Sequence, residues 1–232
     1  AFWPGPLSLV LRRASDAPAW ACGGQPSIGL RCPSHPVAQA LLARFVALGG
    51  AGVAAPSANR FGRVSPTRAA HVVDDLGADS PTVLDGGPAE VGVESTILDL
   101  SRERAVLLRP GRIGREALEQ VLGEPVLDRD AGAPRASGTL AAHYQPHTPV
   151  EVHPADALAA RAAALGTARV AVWSTLRPPL RPPAGAAHWL PMPASPQARE
   201  AALYDTLRRL DALGLDALLV EAPPAAAAWD AL

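Results

Sequence analysis

Apolar and polar positions change their period several times along the chain, and each change predicts an element. Residues 7–12 read as an apolar strand after a Pro-Gly-Pro turn. Residues 27–32 alternate with period two, Ser27, Gly29 and Arg31 on one face and Ile28, Leu30 and Cys32 on the other. Beyond Pro33-Ser34-His35-Pro36 the period turns helical. Val37, Ala38, Leu41, Leu42, Phe45 and Val46 form one stripe, and Gly49-Gly50 ends it. Val53 opens a short apolar strand that breaks at Pro56. Ser65-Pro66 then reads as a helix start, because serine is a favoured N-cap and a proline at the first helical position loses no hydrogen bond. Ala69, Val72, Val73 and Leu76 supply that helix with an apolar face, and Gly77 stops it. Strands are predicted at 82–85, 92–100 and 105–109, the last two joined as a hairpin through Ser101-Arg102-Glu103-Arg104. A helix at 115–122 closes at Gly123.

The pattern then lapses. Residues 128–138 are linker-like, and 141–149 carry too many prolines for a long regular element. They nevertheless hold His143, Tyr144 and His147, and are expected to fold over something. Periodicity resumes with a strand at 150–153, a helix at 155–165 and a strand at 169–173, a βαβ unit. A short strand at 188–191, a helix opened by Ser195-Pro196 and stopped at Gly214, and a strand at 217–221 complete a small second domain. The expectation is an α/β protein with domains at 1–127 and 150–232 and a linker at 128–149.

Composition narrows the chemistry. The chain has 232 residues and a formal net charge of −1, so nothing in it calls for a polyanionic partner or an anionic membrane. All 21 basic residues are arginine. Without lysine there is no Walker-type phosphate loop and no Schiff-base nucleophile in this chain. Cys22 and Cys32 lack metal-ligand spacing. No leader segment is evident, and no apolar run approaches the roughly 20 residues of a membrane span, so a soluble, cytoplasmic protein is expected. Gly49-Gly50-Ala51-Gly52 precedes a predicted strand and is no dinucleotide fingerprint.

Residues 53–67 are the strongest candidate for a site. A strand, a loop of hydroxyls and amides and a helix N-terminus would converge on an anion. The same residues also make a well-capped turn, and by themselves they leave the two readings open. Arg31, on the polar face of a half-buried strand, is the kind of arginine that is usually solvated. Arg109 stands where its strand ends, a place from which polar side chains commonly reach a ligand.

Several separated strings, taken together, fit one family: FWPGPLSLVL at the start, SIGLRCPSHP at 27–36, APSANRFGRVSPT at 55–67, GVESTILDL at 92–100, LLRPGRIG at 107–114 and SGTLAAHYQP at 137–146. The chain resembles the Sua5/YrdC/YwlC proteins in their long form, strongly over 1–149 and by position and pattern over 150–232. The resemblance implies a YrdC-like twisted, mixed or antiparallel sheet with helices, plus a small Rossmann-like C-terminal domain. It implies an L-threonylcarbamoyladenylate synthase, which combines L-threonine, bicarbonate and ATP, with Mg²⁺, into threonylcarbamoyl-AMP and pyrophosphate. The product passes to the machinery that modifies adenosine next to tRNA anticodons. Residue by residue, the resemblance places Ser27, Ser57, Ser65, Arg109 and Tyr144 at ATP, and Arg31, Ala55 and Ser95 at threonine. It implies neither a covalent nucleophile nor metal ligands from the protein. Weak or no direct nucleic-acid binding and no membrane association are expected. The alternative, an RNA-binding module of the same fold without synthase activity, is disfavoured by the weak overall charge. The family's Pro-Thr-x-Thr-x-Tyr-Gly segment and Lys-x-Arg motif do not occur in these residues. The resemblance therefore implies a truncated synthase, with the opposite wall of its site upstream of Ala1.

Overall fold

Two sheets organise the computed structural model, which describes residues 1–17, 19–138, 144–181, 183–186 and 188–232. The first contains β1 (Leu7–Arg12), β2 (Ser27–Leu30), β3 (Thr96–Asp99), β4 (Val106–Arg109) and β5 (Leu127–Asp128), in the order β2-β1-β3-β4-β5. It is mixed: β1 runs antiparallel to β2 and parallel to β3, while β4 runs antiparallel to β3 and parallel to β5. Strand alternation separates its two faces. Leu7, Leu98 and Leu107 pack against Leu118 and Leu122 of α3 (Arg115–Leu122), whose end is closed by Gly123 in the left-handed conformation. Val10, Ile97, Val106 and Leu108 face the other way, under Ala133 and Ala136 of the segment leading to the second sheet.

The second sheet holds β6 (Val150–His153), β7 (Val170–Ser174), β8 (His188–Pro191) and β9 (Ala217–Glu221) in the order β6-β9-β7-β8, all parallel. β9 therefore lies between the two strands of the predicted βαβ unit. Its central strands are buried on both faces, as a parallel sheet covered by helices requires. α4 (Leu158–Ala164) covers one face through Leu158 and Ala162, and α5 (Pro196–Asp211) covers the other through Tyr204, Leu207 and Leu210. Ser195 caps α5 by accepting from the Ala198 N–H at 3.3 Å, as its Ser-Pro start predicts. Among the described residues no helix is long and apolar enough to cross a membrane. Residues 139–143 of the predicted linker, His143 among them, lie outside the described residues.

Three expectations need correction. Neither 53–56 nor 82–85 forms a strand. A strand needs a ladder partner, and neither segment pairs with one; Val53 and Leu84 are left 54% and 59% exposed. Ser65-Pro66 does not open a helix either: α2 (Ala69–Leu76) begins four residues later, after Arg68, with no side-chain cap. The reason is tertiary. The Ser65 hydroxyl donates to Glu94 Oε1 at 2.6 Å, so a partner 29 residues away orients the side chain that a cap would use. The stripe of α1 (Pro36–Ala47) forms as predicted, yet the helix buries no residue, and Val37 and Leu41 line an open cleft of about 370 Å³ with Val72, Val83 and Leu84.

α5 also holds the two sheets together. Its Asp205 accepts from Arg68 at 2.6 Å, its Glu200 accepts from Arg112 at 2.6 Å, and its Asp211 accepts the His147 and Thr148 N–H groups at 2.9 and 2.7 Å. His71 of α2 lies in this junction. Its Nδ1 accepts the Thr67 N–H at 3.2 Å, and its Nε2 is 3.9 Å from Asp205. Burial pushes His71 below its ordinary value of 6.5, with Arg208 and Arg68 adding to the effect and Asp205 and Asp74 opposing it. The unfolded chain therefore takes up this proton first. The stability due to neutral His71 is complete above pH 6.5 and is lost as pH falls through the lower folded value. The melting temperature should drop over that window, and His71→Gln should flatten the drop in thermal scans across pH.

Candidate functional site

A one-residue irregularity in the β3–β4 ladder decides where the first polar group points. Strict pairing beyond Leu98↔Leu107 would set Leu108 opposite Ile97. Instead Arg109 occupies that place. Bulges of this kind re-aim side chains, and here the guanidinium turns towards the segment just before β3. Arg109 Nε and Nη2 donate to the Ser95 carbonyl at 3.1 and 2.8 Å, and Nη2 also reaches Ser95 Oγ at 3.2 Å. Nη1 donates to the Ser137 carbonyl at 3.2 Å and to the Tyr144 hydroxyl at 3.1 Å. Ser95 Oγ in turn lies 2.8 Å from Ser8 Oγ of β1. Glu94 stands beside the group, 3.8 Å from Arg109 Nη2, and takes the Ser65 hydroxyl.

Tyr144 comes in from the connection between the sheets. Its ring stacks on Tyr204 of α5, with centroids 5.6 Å apart. Burial raises its phenol above the ordinary value, and Glu94 raises it further against the opposing Arg109. The phenol therefore keeps its proton through neutral pH. Gly138 makes the approach possible. With φ of +79°, a Cβ on it would stand 2.4 Å from the Tyr144 hydroxyl and 3.0 Å from Arg109 Cδ and Nη1. Gly138→Ala should separate Tyr144 from Arg109, weaken any ligand they hold and, because its φ is positive, also lower the melting temperature; a raised Kd beside thermal scans would show both.

The structure thus brings Ser95, Arg109 and Tyr144 into direct contact and joins Ser65 to them through Glu94. Arg31 follows directly on Leu30, so it leaves β2 at the end of the sheet that carries Ser8 and Arg109. It is exposed and has no hydrogen-bond or ion-pair partner among the described residues. Ser27 is buried at the opposite end of β2, across from Arg12. A ligand reaching both Ser27 and Arg31 would have to extend along the sheet by roughly 13 Å, four residues of strand rise. Ala55 and Ser57 lie in the exposed segment 51–57, without a hydrogen bond to the cluster.

Sequence reasoning missed Glu94, Gly138, Tyr204 and Arg208. Glu94 sits inside GVESTILDL, where a short polar break before an apolar run is its only signal. Tyr204 and Arg208 look like ordinary helix residues until α5 is docked. A mixed-charge cleft of about 360 Å³, lined in part by Arg60, Arg63, Asp74 and Arg208, opens beside the cluster. Among the described residues no three His, Cys, Asp or Glu side chains are grouped to hold a metal ion.

Fold and cluster together define a two-sheet α/β protein whose polar site forms at one end of a mixed sheet and is closed by the connection to a parallel one. Residues 1–111 match the Sua5–YciO–YrdC family, described as "Telomere recombination", and residues 113–232 match "Threonylcarbamoyl-AMP synthase, C-terminal domain". The chain belongs to the Sua5/YrdC family, in the form that carries the Sua5 C-terminal domain. It is 39% identical over 156 residues to threonylcarbamoyl-AMP synthases of Pyrococcus abyssi and Bacillus subtilis, an overlap of 65% of this chain with 45% and 44% of theirs. The chain thus spans a little under half the length of these curated relatives. The crystal structure of P. abyssi Sua5 complexed with L-threonine superposes with a TM-score of 0.81 at 30% identity, covering 99% of this chain and 68% of that one.

Proposed function

We propose that this chain carries part of a threonylcarbamoyl-AMP synthase site, which joins L-threonine, bicarbonate and ATP. The observation that carries the proposal is the Ser95–Arg109–Tyr144 cluster. It places a guanidinium charge and two hydroxyls at a sheet end in a chain whose two halves both resemble an enzyme of that name. Arg109 and Tyr144 are assigned to ATP, with Ser65, Ser57 and Ser27 on the same nucleotide. Arg31 suits the threonine carboxylate, which a guanidinium fork can hold with two hydrogen bonds. Ser95 and Ala55 complete the amino-acid side. The domain limits proposed are 1–127, 128–149 and 150–232.

The reaction needs positioning more than covalent help. The threonine amine adds to the carbon of bicarbonate, and water leaves to give a carbamate. A carbamate oxygen then attacks the α-phosphorus of ATP, and the bond to pyrophosphate breaks. Arg109, its N–H groups held by Ser95, Ser137 and Tyr144, would stabilise the charge on the phosphoryl oxygens through its own positive charge as that bond lengthens. Mg²⁺ would come with the triphosphate, held by phosphate oxygens and water and not by a protein cage; it would shield the nucleotide's charge. The product would pass to a tRNA-modifying step in the cytoplasm. Pyrophosphate release that requires threonine and bicarbonate together is the expected behaviour; release that ignores both would refute the assignment.

A further inference from the structure

One turn of α5 touches both ends of the polar chain that runs through the site. Tyr204 and Arg208 are four residues apart on that helix and share a face. Tyr204 supports the ring of Tyr144. Arg208 reaches the other end: Nε donates to the Ser65 carbonyl at 3.2 Å and Nη2 to the Val64 carbonyl. The same guanidinium pairs with both oxygens of Asp75 on α2, at 3.1 and 2.6 Å. Between these ends run Ser65 to Glu94 at 2.6 Å, Glu94 to Arg109 at 3.8 Å and Arg109 to Tyr144 at 3.1 Å.

We propose that Arg208 is a positioning residue for Ser65: from α5 it fixes the 64–65 backbone so that the Ser65 hydroxyl meets Glu94. The functional consequence rests on the nucleotide-site reading above; the structural one rests on geometry alone. Residues 59–68 belong to no strand or helix and pair with other backbone chiefly through the Arg63–Gln145 bridge and the Thr67 carbonyl. Val64 and Ser65 are nevertheless only 4% and 6% exposed, so their carbonyls need donors from within the protein. A planar guanidinium can serve two carbonyls and a carboxylate at once. An ammonium at the same place keeps the charge opposite Asp75 but cannot reproduce the fork. Asp75 thereby aims the group, and Val64, packed with Tyr204 and Leu207, holds the loop against α5.

The test uses Arg208→Lys, the variant least apt to disturb folding, with Arg208→Gln beside it. Hydrogen exchange should quicken about tenfold in peptides covering 60–68, the equivalent of losing one net hydrogen bond, while β6 to β9 keep their protection. The ATP Kd should rise by a similar factor, about tenfold, and should rise no further when Arg208→Lys is added to Ser65→Ala, since both changes act through one hydroxyl. Unchanged exchange at 60–68 in both variants would overturn the proposal. So would effects on Kd that multiply independently with Ser65→Ala. If the exchange responds while the unaltered protein binds no ATP, the positioning role stands and the nucleotide assignment falls.

Discussion

Arg109→Ala is expected to lower the rate of pyrophosphate formation by about 10²–10³ at saturating threonine and bicarbonate, the usual cost of removing a group that stabilises developing charge. The side chain makes five hydrogen bonds, to the Ser95 carbonyl twice, Ser95 Oγ, the Ser137 carbonyl and the Tyr144 hydroxyl. Its loss therefore removes a positive group from the site and also frees the two segments it joins. Arg109→Lys separates these effects. It restores a charge but not the fork, so it should recover part of the rate while Tyr144 remains loose. Initial rates beside melting temperatures would measure both. A loss of melting temperature with the rate intact would reduce Arg109 to a structural clamp.

Arg31→Ala should act differently. A carboxylate held by two charge-assisted hydrogen bonds loses both, and at about 1.5–3 kcal/mol for each bond to a charged group the KM for threonine should rise about 10²-fold or more. Arg31 has no hydrogen-bond or ion-pair partner among the described residues, so the melting temperature should hold and the dependence on ATP should change little. The contrast between the arginines is the useful result. Arg109 is built into the fold and should affect both stability and nucleotide use, whereas Arg31 waits at the end of β2 and should affect only the amino acid. Steady-state kinetics with threonine and ATP varied in turn would separate them.

Much of the fold is legible in the sequence because it depends on local chemistry. The period-two run predicted at 27–32 forms β2 over its first four residues, and the predicted hairpin forms as β3 and β4, with β3 shorter than the predicted 92–100. Gly123 as a helix stop and Ser195-Pro196 as a helix start appear where capping rules put them. The failures fall where a distant partner outcompetes a local preference. Ser65-Pro66 has the form of a helix start, but Glu94 takes the hydroxyl and Arg208 takes the carbonyl. Val53 has the composition of a strand but pairs with neither edge of the first sheet. The site follows the same rule. Arg109 at a strand end and Tyr144 in the proline-marked connection stand out in the sequence. The bulge that turns Arg109, the glycine that admits Tyr144 and the helix face that supports both loops depend on three-dimensional placement.

The carbon of bicarbonate offers the most direct test of the central claim. With ¹³C-labelled bicarbonate, L-threonine and ATP, the protein should yield a nucleotide product carrying the label in a carbamoyl group between threonine and AMP, with one pyrophosphate released for each. Omitting threonine should abolish both product and pyrophosphate. An adenylate formed without the labelled carbon, or pyrophosphate released without threonine, would contradict the account.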